Sequence, residues 1–442
     1  MVGQENTTHS KFVRVNMYRF LVSLDRLLNP KRMAYAWITG SALWLAWLLS
    51  ISLGPGNMDL ADQVIGTDYL QFHAAGLTVR LGDSSQLYDF DYQSELEIQV
   101  AGPELVNFHA FITPPFFAYL FVPLSFLPYP LSFAIWSTFG IICLYLSLRL
   151  LRTHHPLEAF LVSLTFFPVF ATISFGQNSL LSLFLFALAY ACWRKRLPFL
   201  SGLIASLLLY KPQLVLGISL LWLLELRRDW KALLGLAVGG MGLVTLCILT
   251  MPEASLAYLE FSRTSLSSML SWEQFPIWHA HTWRAFWYLL FPGHLSLAEV
   301  LSLIVSFIGV VAFGFLWKKH RADKDILYAM AICLTLWVSP HAMIYDWAIL
   351  IIPALILWQN VPTLRPIRKS LYALVWIALF LSGPLTVGQL KIIPIAIQVS
   401  LPVYALVMAI IFLSLMKVQE SSDTLPQELQ GIDFPSRQLT SE

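Results

Sequence analysis

Charge is what this 442-residue sequence has least of. Asp, Glu, Lys and Arg make up 12% of it, about half the ~25% of an average soluble domain. Hydrophobic residues make up 57%, and the mean hydropathy is +0.67. That shortage excludes an ordinary soluble fold. Several apolar runs approach the roughly 20 residues that cross a bilayer core, so the chain reads as an all-α polytopic membrane protein. Cysteine is scarce too. Cys143, Cys192, Cys247 and Cys333 all lie inside apolar runs, without the spacing of a disulfide framework or a metal site. There is no HExxH run, and His279 with His281 is too small a set for zinc, so neither metal nor cofactor is expected. An internal two-fold repeat, the mark of many transporters, is missing. Gly239, Gly240 and Gly242 fall inside an apolar run and read as close helix packing, not a phosphate loop. The net charge of +2 singles out no partner, and no nucleic acid is expected.

What charge there is falls unevenly. Residues 1–32 carry six Lys/Arg and should be cytoplasmic. Met33 to Leu53 reads as a retained first span. It delivers residues 54–129 to the outer side as a first outer loop. From Gly54 to Thr113 this loop holds nine acidic residues and one basic residue, Arg80. The run after Pro114-Pro115 is apolar but short. A crossing there would invert every later basic loop, so it reads as an interfacial or re-entrant helix. Alternating spans from Leu131 onward then give about twelve crossings, with both termini inside. In this layout 23 of the 28 Lys/Arg fall inside, as orientation by cytoplasmic positive charge requires. The transmembrane domain is residues 33–416. Residues 417–442, rich in Gln, Glu, Ser and Pro, read as a disordered cytoplasmic tail.

The most polar interior stretch is Gly66 to Tyr92. Thr67 can cap a helix, Asp68 suits its first turn, and Gly82 can stop it. Helical spacing puts Asp68, Phe72, Ala75 and Val79 on one face. This reads as an amphipathic helix on the membrane surface that presents Asp68 to a lipid-borne substrate. The layout brings Gln177, Asn178, Lys211, His279, His281, Arg284, His341 and Lys391 to the same outer face, with Asp346 one turn below. Ionisable groups at a bundle rim beside helix-breaking prolines are costly unless they face a cavity or a ligand. One carboxylate, several amides and imidazoles and a few cations suit a reaction in which a hydroxyl attacks and a phosphate leaves. The carboxylate accepts the hydroxyl proton, and the cations hold the departing charge.

Five segments occur in order: GTDYLQFHAAG with LYD, TPPFFAYLFVPLSFLP, FGQNSLLSLFLFALA, LLLYKPQ and SPHAMIYDWAILIIP. Together they resemble the pattern of glycosyltransferase family 87, the polyprenol-phosphate-mannose-dependent mannosyltransferases with the GT-C fold, over roughly Met33 to Pro353. The resemblance implies a GT-C-like bundle with membrane-parallel helices in the first outer loop. It implies a catalytic Asp in that loop, which maps onto Asp68, and an interfacial helix opened by Pro114-Pro115. It implies inverting transfer of a hexose, mannose first, from a polyprenyl-phosphate sugar donor to a lipid or glycan acceptor, with membrane lipid as the surroundings. The setting would be a plasma membrane, with the site on the extracytoplasmic side. Two positions depart from the pattern: His73 stands where a second aromatic is usual before the Ala-Ala pair, and Thr113 replaces an aromatic before Pro-Pro.

Each candidate also has a plainer reading. Asp68 would only favour a helix dipole, with Asp62 and Asp89 as solvated rivals. Lys211 would snorkel. Gln177 and Asn178 would satisfy helix ends at a tight turn. His341 and Asp346 would cap or pack. The aromatics around His281 and Arg284 would form an interfacial belt. At the level of the whole chain, the alternatives are a lipid-linked sugar transporter or flippase and a surface-glycan polymerase or ligase.

Overall fold

The computed structural model describes residues 19–272 and 275–417. The expected basic N-terminal segment lies partly outside this range, and the expected tail almost wholly. Among the described residues the protein is helical throughout, with only two isolated β-bridges, Met58–Val64 and Ala280–Met343.

Five helices are long and apolar enough to cross a membrane: Pro30–Leu53, Tyr129–Leu150, Leu226–Thr250, Leu295–His320 and Arg368–Leu390. A sixth forms if Pro156–Leu164 and Phe167–Ser174, bent by 72° at their junction, count as one span. The first and fourth of the five bury only 6% and 11% of their apolar windows inside the protein, as suits helices whose solvent is lipid. Other expected crossings fall on shorter apolar helices, among them Ser179–Arg194, Pro198–Tyr210, Pro212–Leu224 and Ile344–Asn360. Prolines explain several of the breaks. Pro212 forces the residue before it out of the helical region. Lys211 accordingly sits at φ −131°, ψ 83°, between two short 3₁₀ turns, Leu207–Tyr210 and Pro212–Val215. Helices Pro198–Ser206 and Leu226–Thr250 cross closely. A side chain on Gly202 would strike the Ala232 carbonyl, and one on Gly235 the Phe199 carbonyl.

Some of the basic segments between spans are held by acidic residues on neighbouring helices. Arg194 pairs with Asp325 at 3.3 Å and Arg321 with Glu225 at 3.0 Å. Asp25, near the N-terminus, accepts the Lys369 backbone N–H at 2.8 Å, so the N-terminal segment docks at the start of Arg368–Leu390.

Residues 54–129 contain two α-helices, Tyr69–Leu81 and Phe90–Ala101, and three 3₁₀ segments, Ser84–Gln86, Pro115–Phe121 and Leu124–Phe126. Seven residues of 3₁₀ helix rise only about 14 Å, half the thickness of a bilayer core of about 30 Å. Two details differ from the sequence reading. Asp68, not Thr67, is the N-cap residue. The Tyr69–Leu81 helix is not amphipathic: Gln71 and His73 are buried with Phe72 and Ala75, because the 115–126 segment and the Phe90–Ala101 helix cover its sides. Gly82 ends it in the left-handed conformation at φ 87°, which a glycine adopts without steric cost.

Candidate active site

Asp68 and Gln177 are 109 residues apart and meet through two glycine turns. Gly66 and Gly176 have φ of 65° and 69°. A side chain on Gly66 would enter the Phe133 ring, and one on Gly176 would strike Tyr69. The turns are stitched together. The Tyr69 N–H donates to the Gly66 carbonyl at 2.7 Å and the Phe175 carbonyl at 3.0 Å. Trp136 Nε1–H donates to the Gly176 carbonyl at 2.9 Å. The Tyr129 hydroxyl donates to the Ile65 carbonyl at 2.6 Å. Although Asp68 occupies the N-cap position, its carboxylate makes no capping bond. Instead Oδ2 accepts the Gln177 amide Nε2–H at 2.8 Å, and Oδ1 lies 3.9 Å from His109 Nδ1. The carboxylate is about a quarter exposed (24%), so a ligand can reach it.

The same turn continues to a second carboxylate. Ser179 Oγ–H donates to Asp346 Oδ1 at 2.9 Å. The Met343 backbone N–H donates to Asp346 Oδ2 at 2.9 Å, so this acid caps its own 3₁₀ turn, Ile344–Leu350. Lys211 Nζ donates to Asp346 Oδ1 at 2.7 Å and stands 4.9 Å above the Tyr345 ring. Asp346 is 2% exposed and Lys211 11%. An ammonium has three N–H donors, so Lys211 keeps donors for a ligand oxygen. The Tyr345 phenol is within electrostatic reach of both Asp68 and Asp346. Between the two carboxylates sits Asn178, 1% exposed, with both side-chain polar atoms lacking a partner. Buried amides rarely go unpaired, and this one lies at the centre of the turn.

The remaining predicted residues divide. Half-buried His341 anchors the opposite wall. Its carbonyl accepts Gln213 Nε2–H at 2.9 Å and Ser339 Oγ–H at 2.8 Å. Burial pushes its imidazole down to about 4, with Asp346, Lys211 and Arg284 all in electrostatic range. His281 is fully engaged: Nδ1 bonds Ser400 Oγ at 2.7 Å, its carbonyl accepts Trp347 Nε1–H at 3.2 Å, and burial pushes its imidazole to about 3. Arg284 pairs with Glu299 at 2.8 Å. Asp68, Gln177, Lys211 and Asp346 thus form one connected set with Asn178 inside it, whereas His281 and Arg284 are held by partners on later helices.

Three neighbours carried no role in the sequence reading. His109 faces Asp68, and Glu97 accepts the His109 backbone N–H at 3.0 Å. Tyr345 separates the two carboxylates. Their signals, an acid and a histidine in a polar loop and a tyrosine in an apolar run, are too common to single out. His279 also feels Asp68, though burial dominates and lowers its imidazole. It lines a cleft of about 500 Å³ with Trp278, His281, Gly383, Gly388 and Lys391, and is the residue of that lining within electrostatic range of Asp68. Among the described residues, no group of three or more His, Cys, Asp or Glu could hold a metal ion.

This geometry joins a reachable carboxylate to a lysine through one short turn, inside a helical membrane bundle. Comparison with curated proteins and with solved structures gives no match. Residues 111–340, more than half of the chain, match the sequence profile of glycosyltransferase family 87, and the chain belongs to that family.

Proposed function

We propose that this membrane glycosyltransferase moves a hexose, mannose first among candidates, from a polyprenyl-phosphate sugar to a hydroxyl of a lipid or glycan acceptor. Asp68 is the general base. The acceptor oxygen attacks the anomeric carbon from the face opposite the phosphate. The bond from that carbon to the phosphate oxygen breaks, and the hydroxyl proton passes to the Asp68 carboxylate. The phosphate departs with the electron pair, and Lys211 meets its charge while Tyr345 and Asp346, itself bonded by Ser179, hold the ammonium in place. Inversion at the anomeric carbon follows from a single displacement.

The observation that carries this reading is the Gln177-Asn178-Ser179 turn. It bonds Asp68 at one end and Asp346, with its lysine, at the other. Base and cation therefore belong to one site. The unpartnered Asn178 amide between them suits a sugar hydroxyl, which can both donate and accept. The cleft beside His279 suits an isoprenoid chain, its lining being mostly apolar with a single cation, Lys391. The site would face the extracytoplasmic side of a plasma membrane. About twelve crossings, counting the short helices, would leave both termini inside. The charge tally supports this, since 23 of the 28 Lys/Arg fall in the segments assigned to the inside.

The test is a donor panel. Purified protein in lipid is incubated with labelled polyprenyl-phosphate mannose, polyprenyl-phosphate glucose and nucleotide sugars, and product is separated from donor. Label should move only from a lipid-phosphate sugar. Transfer from a nucleotide sugar, or passage of the lipid across the bilayer without transfer, would overturn the reading.

A further inference from the structure

Glu97 is a carboxyl with no exposure at all, in a loop segment whose other acids mostly face water. It stands on the Phe90–Ala101 helix. Its Oε2 accepts the backbone N–H of His109 at 3.0 Å, and its Oε1 has no partner. Removing a carboxyl from water is costly, and nothing in the packing of an outer-loop helix demands one here. What Glu97 does achieve is local. It fixes the chain at His109, and that residue's ring nitrogen then stands 3.9 Å from Asp68 Oδ1. The other carboxylate oxygen is already held by Gln177, so Asp68 is braced from two sides by two different segments.

We infer that Glu97 and His109 are positioning residues for Asp68, Glu97 fixing the loop and His109 orienting the carboxylate and receiving its proton after each turnover. The inference rests on the proposed role of Asp68 as base. The proton accounting is simple. Asp68 carboxylic acid and neutral imidazole become carboxylate and imidazolium, and the imidazolium releases the proton to water, which the partly exposed ring can reach. Separations of this kind in an unliganded site commonly shorten to hydrogen-bond length when substrate binds. Burial keeps the imidazole below its usual value while Asp68 opposes that shift, so the ring is neutral, and able to accept, near pH 7. An imidazolium beside the site would instead draw Asp68 into a standing ion pair.

Two measurements test this, one of them independent of substrate. Histidine ¹⁵N resonances are titrated in lipid nanodiscs for the wild type and for Asp68→Asn, with His109→Gln assigning the signal. The His109 titration should move to lower pH when the Asp68 charge is removed. An unchanged titration overturns the coupling whatever the donor proves to be. In the transfer assay His109→Gln should lower kcat by about 10- to 100-fold, the scale of losing a group that orients another, with KM within about two-fold. Glu97→Leu should do the same, and Glu97→Gln, which keeps an acceptor for the His109 N–H, should restore most of the loss. A kcat unaffected by His109→Gln, or equal losses in Glu97→Gln and Glu97→Leu, would refute it. A wild type inert toward every polyprenyl-phosphate sugar but active on another donor would refute only the donor assignment.

Discussion

Replacing Lys211 with methionine separates a structural lysine from a functional one. Asp346 is 2% exposed and accepts from Lys211, Ser179 and the Met343 backbone. Without the ammonium, two neutral donors remain to a buried carboxylate. Breaking a buried ion pair by deleting one partner costs about 3–5 kcal/mol, because the other charge is stranded. Asp346→Asn should cost a comparable amount by stranding the lysine, although Lys211 is the more exposed of the two and recovers part of its hydration. In Lys211→Met with Asp346→Asn no charge is stranded, and the asparagine side chain can still bond Ser179 and cap Met343. The double variant should therefore lie within about 1–2 kcal/mol of the wild type, because paired removal of a buried ion pair is often near neutral. The assay is reversible denaturation of the protein in mixed micelles, run as a double-mutant cycle. Transfer activity is measured on the same four preparations. Stability should return in the double variant and activity should not. Additive stability losses would refute the stranded-charge reasoning, and recovery of activity together with stability would make the pair structural only.

Three further outcomes follow from the same geometry. Burial raises the Glu97 carboxyl from 4.5 to about 8, so the folded state holds a proton that the unfolded chain has released. Stability from this group is complete below pH 4.5 and is lost as pH rises toward 8, by about 1.4 kcal/mol per unit. The half-buried His109 and His279 act in the opposite direction only below about pH 6.5. Melting temperatures between pH 6.5 and 8 should therefore fall in the wild type and stay flatter in Glu97→Gln, and parallel slopes would contradict this. Gly176→Ala should reduce transfer at least about 10-fold, with a melting loss on the order of 1–3 kcal/mol from the positive φ and the clash with Tyr69; wild-type behaviour would mean that the turn is not what holds Gln177 on Asp68. Gly388 lines the cleft, and its missing side chain faces open space. Gly388→Leu should leave melting unchanged or raised while raising KM for long-chain donors more than for short-chain ones; equal effects at all chain lengths would remove the lipid from that cleft.

Different parts of this molecule were legible in the sequence for different reasons. The helical membrane class follows from scarce charge and long apolar runs, because lipid leaves the backbone few alternatives. Gly82 announces the end of its helix through a conformation other residues avoid. The broken chain at Lys211 is visible in Pro212. An alternating layout of about twelve crossings is what puts Asp68, Gln177, Lys211 and Asp346 on one face in the sequence reading, whereas the structure links them through the bonds of the 177–179 turn, which do not depend on that count. Burial in residues 54–129 was not legible. Polar spacing around Asp68 reads as a helix with one wet side, yet the covering segment, 115–126, lies some forty residues later and buries the helix from Tyr69 to Gly76 on all sides. For the same reason Glu97 looks like a solvated loop acid. Long-range pairings were equally hidden: nothing near His281 or Arg284 points to Ser400 or Glu299. The uncapped carboxylate of Asp68 is the sharpest case. Its position suits a helix cap, and only the Gly176 turn draws the side chain off to Gln177, 109 residues away.

Asp68→Asn tests the general base most directly. The asparagine keeps the shape of the side chain and can still accept from Gln177 through its carbonyl oxygen, so the protein should insert and melt as the wild type does. Initial rates of transfer from a labelled polyprenyl-phosphate sugar, measured in lipid on matched amounts of both proteins, should fall by about 10²–10⁴-fold, the contribution of a general base. A rate within a few-fold of the wild type would place the base elsewhere and contradict the site described for this chain.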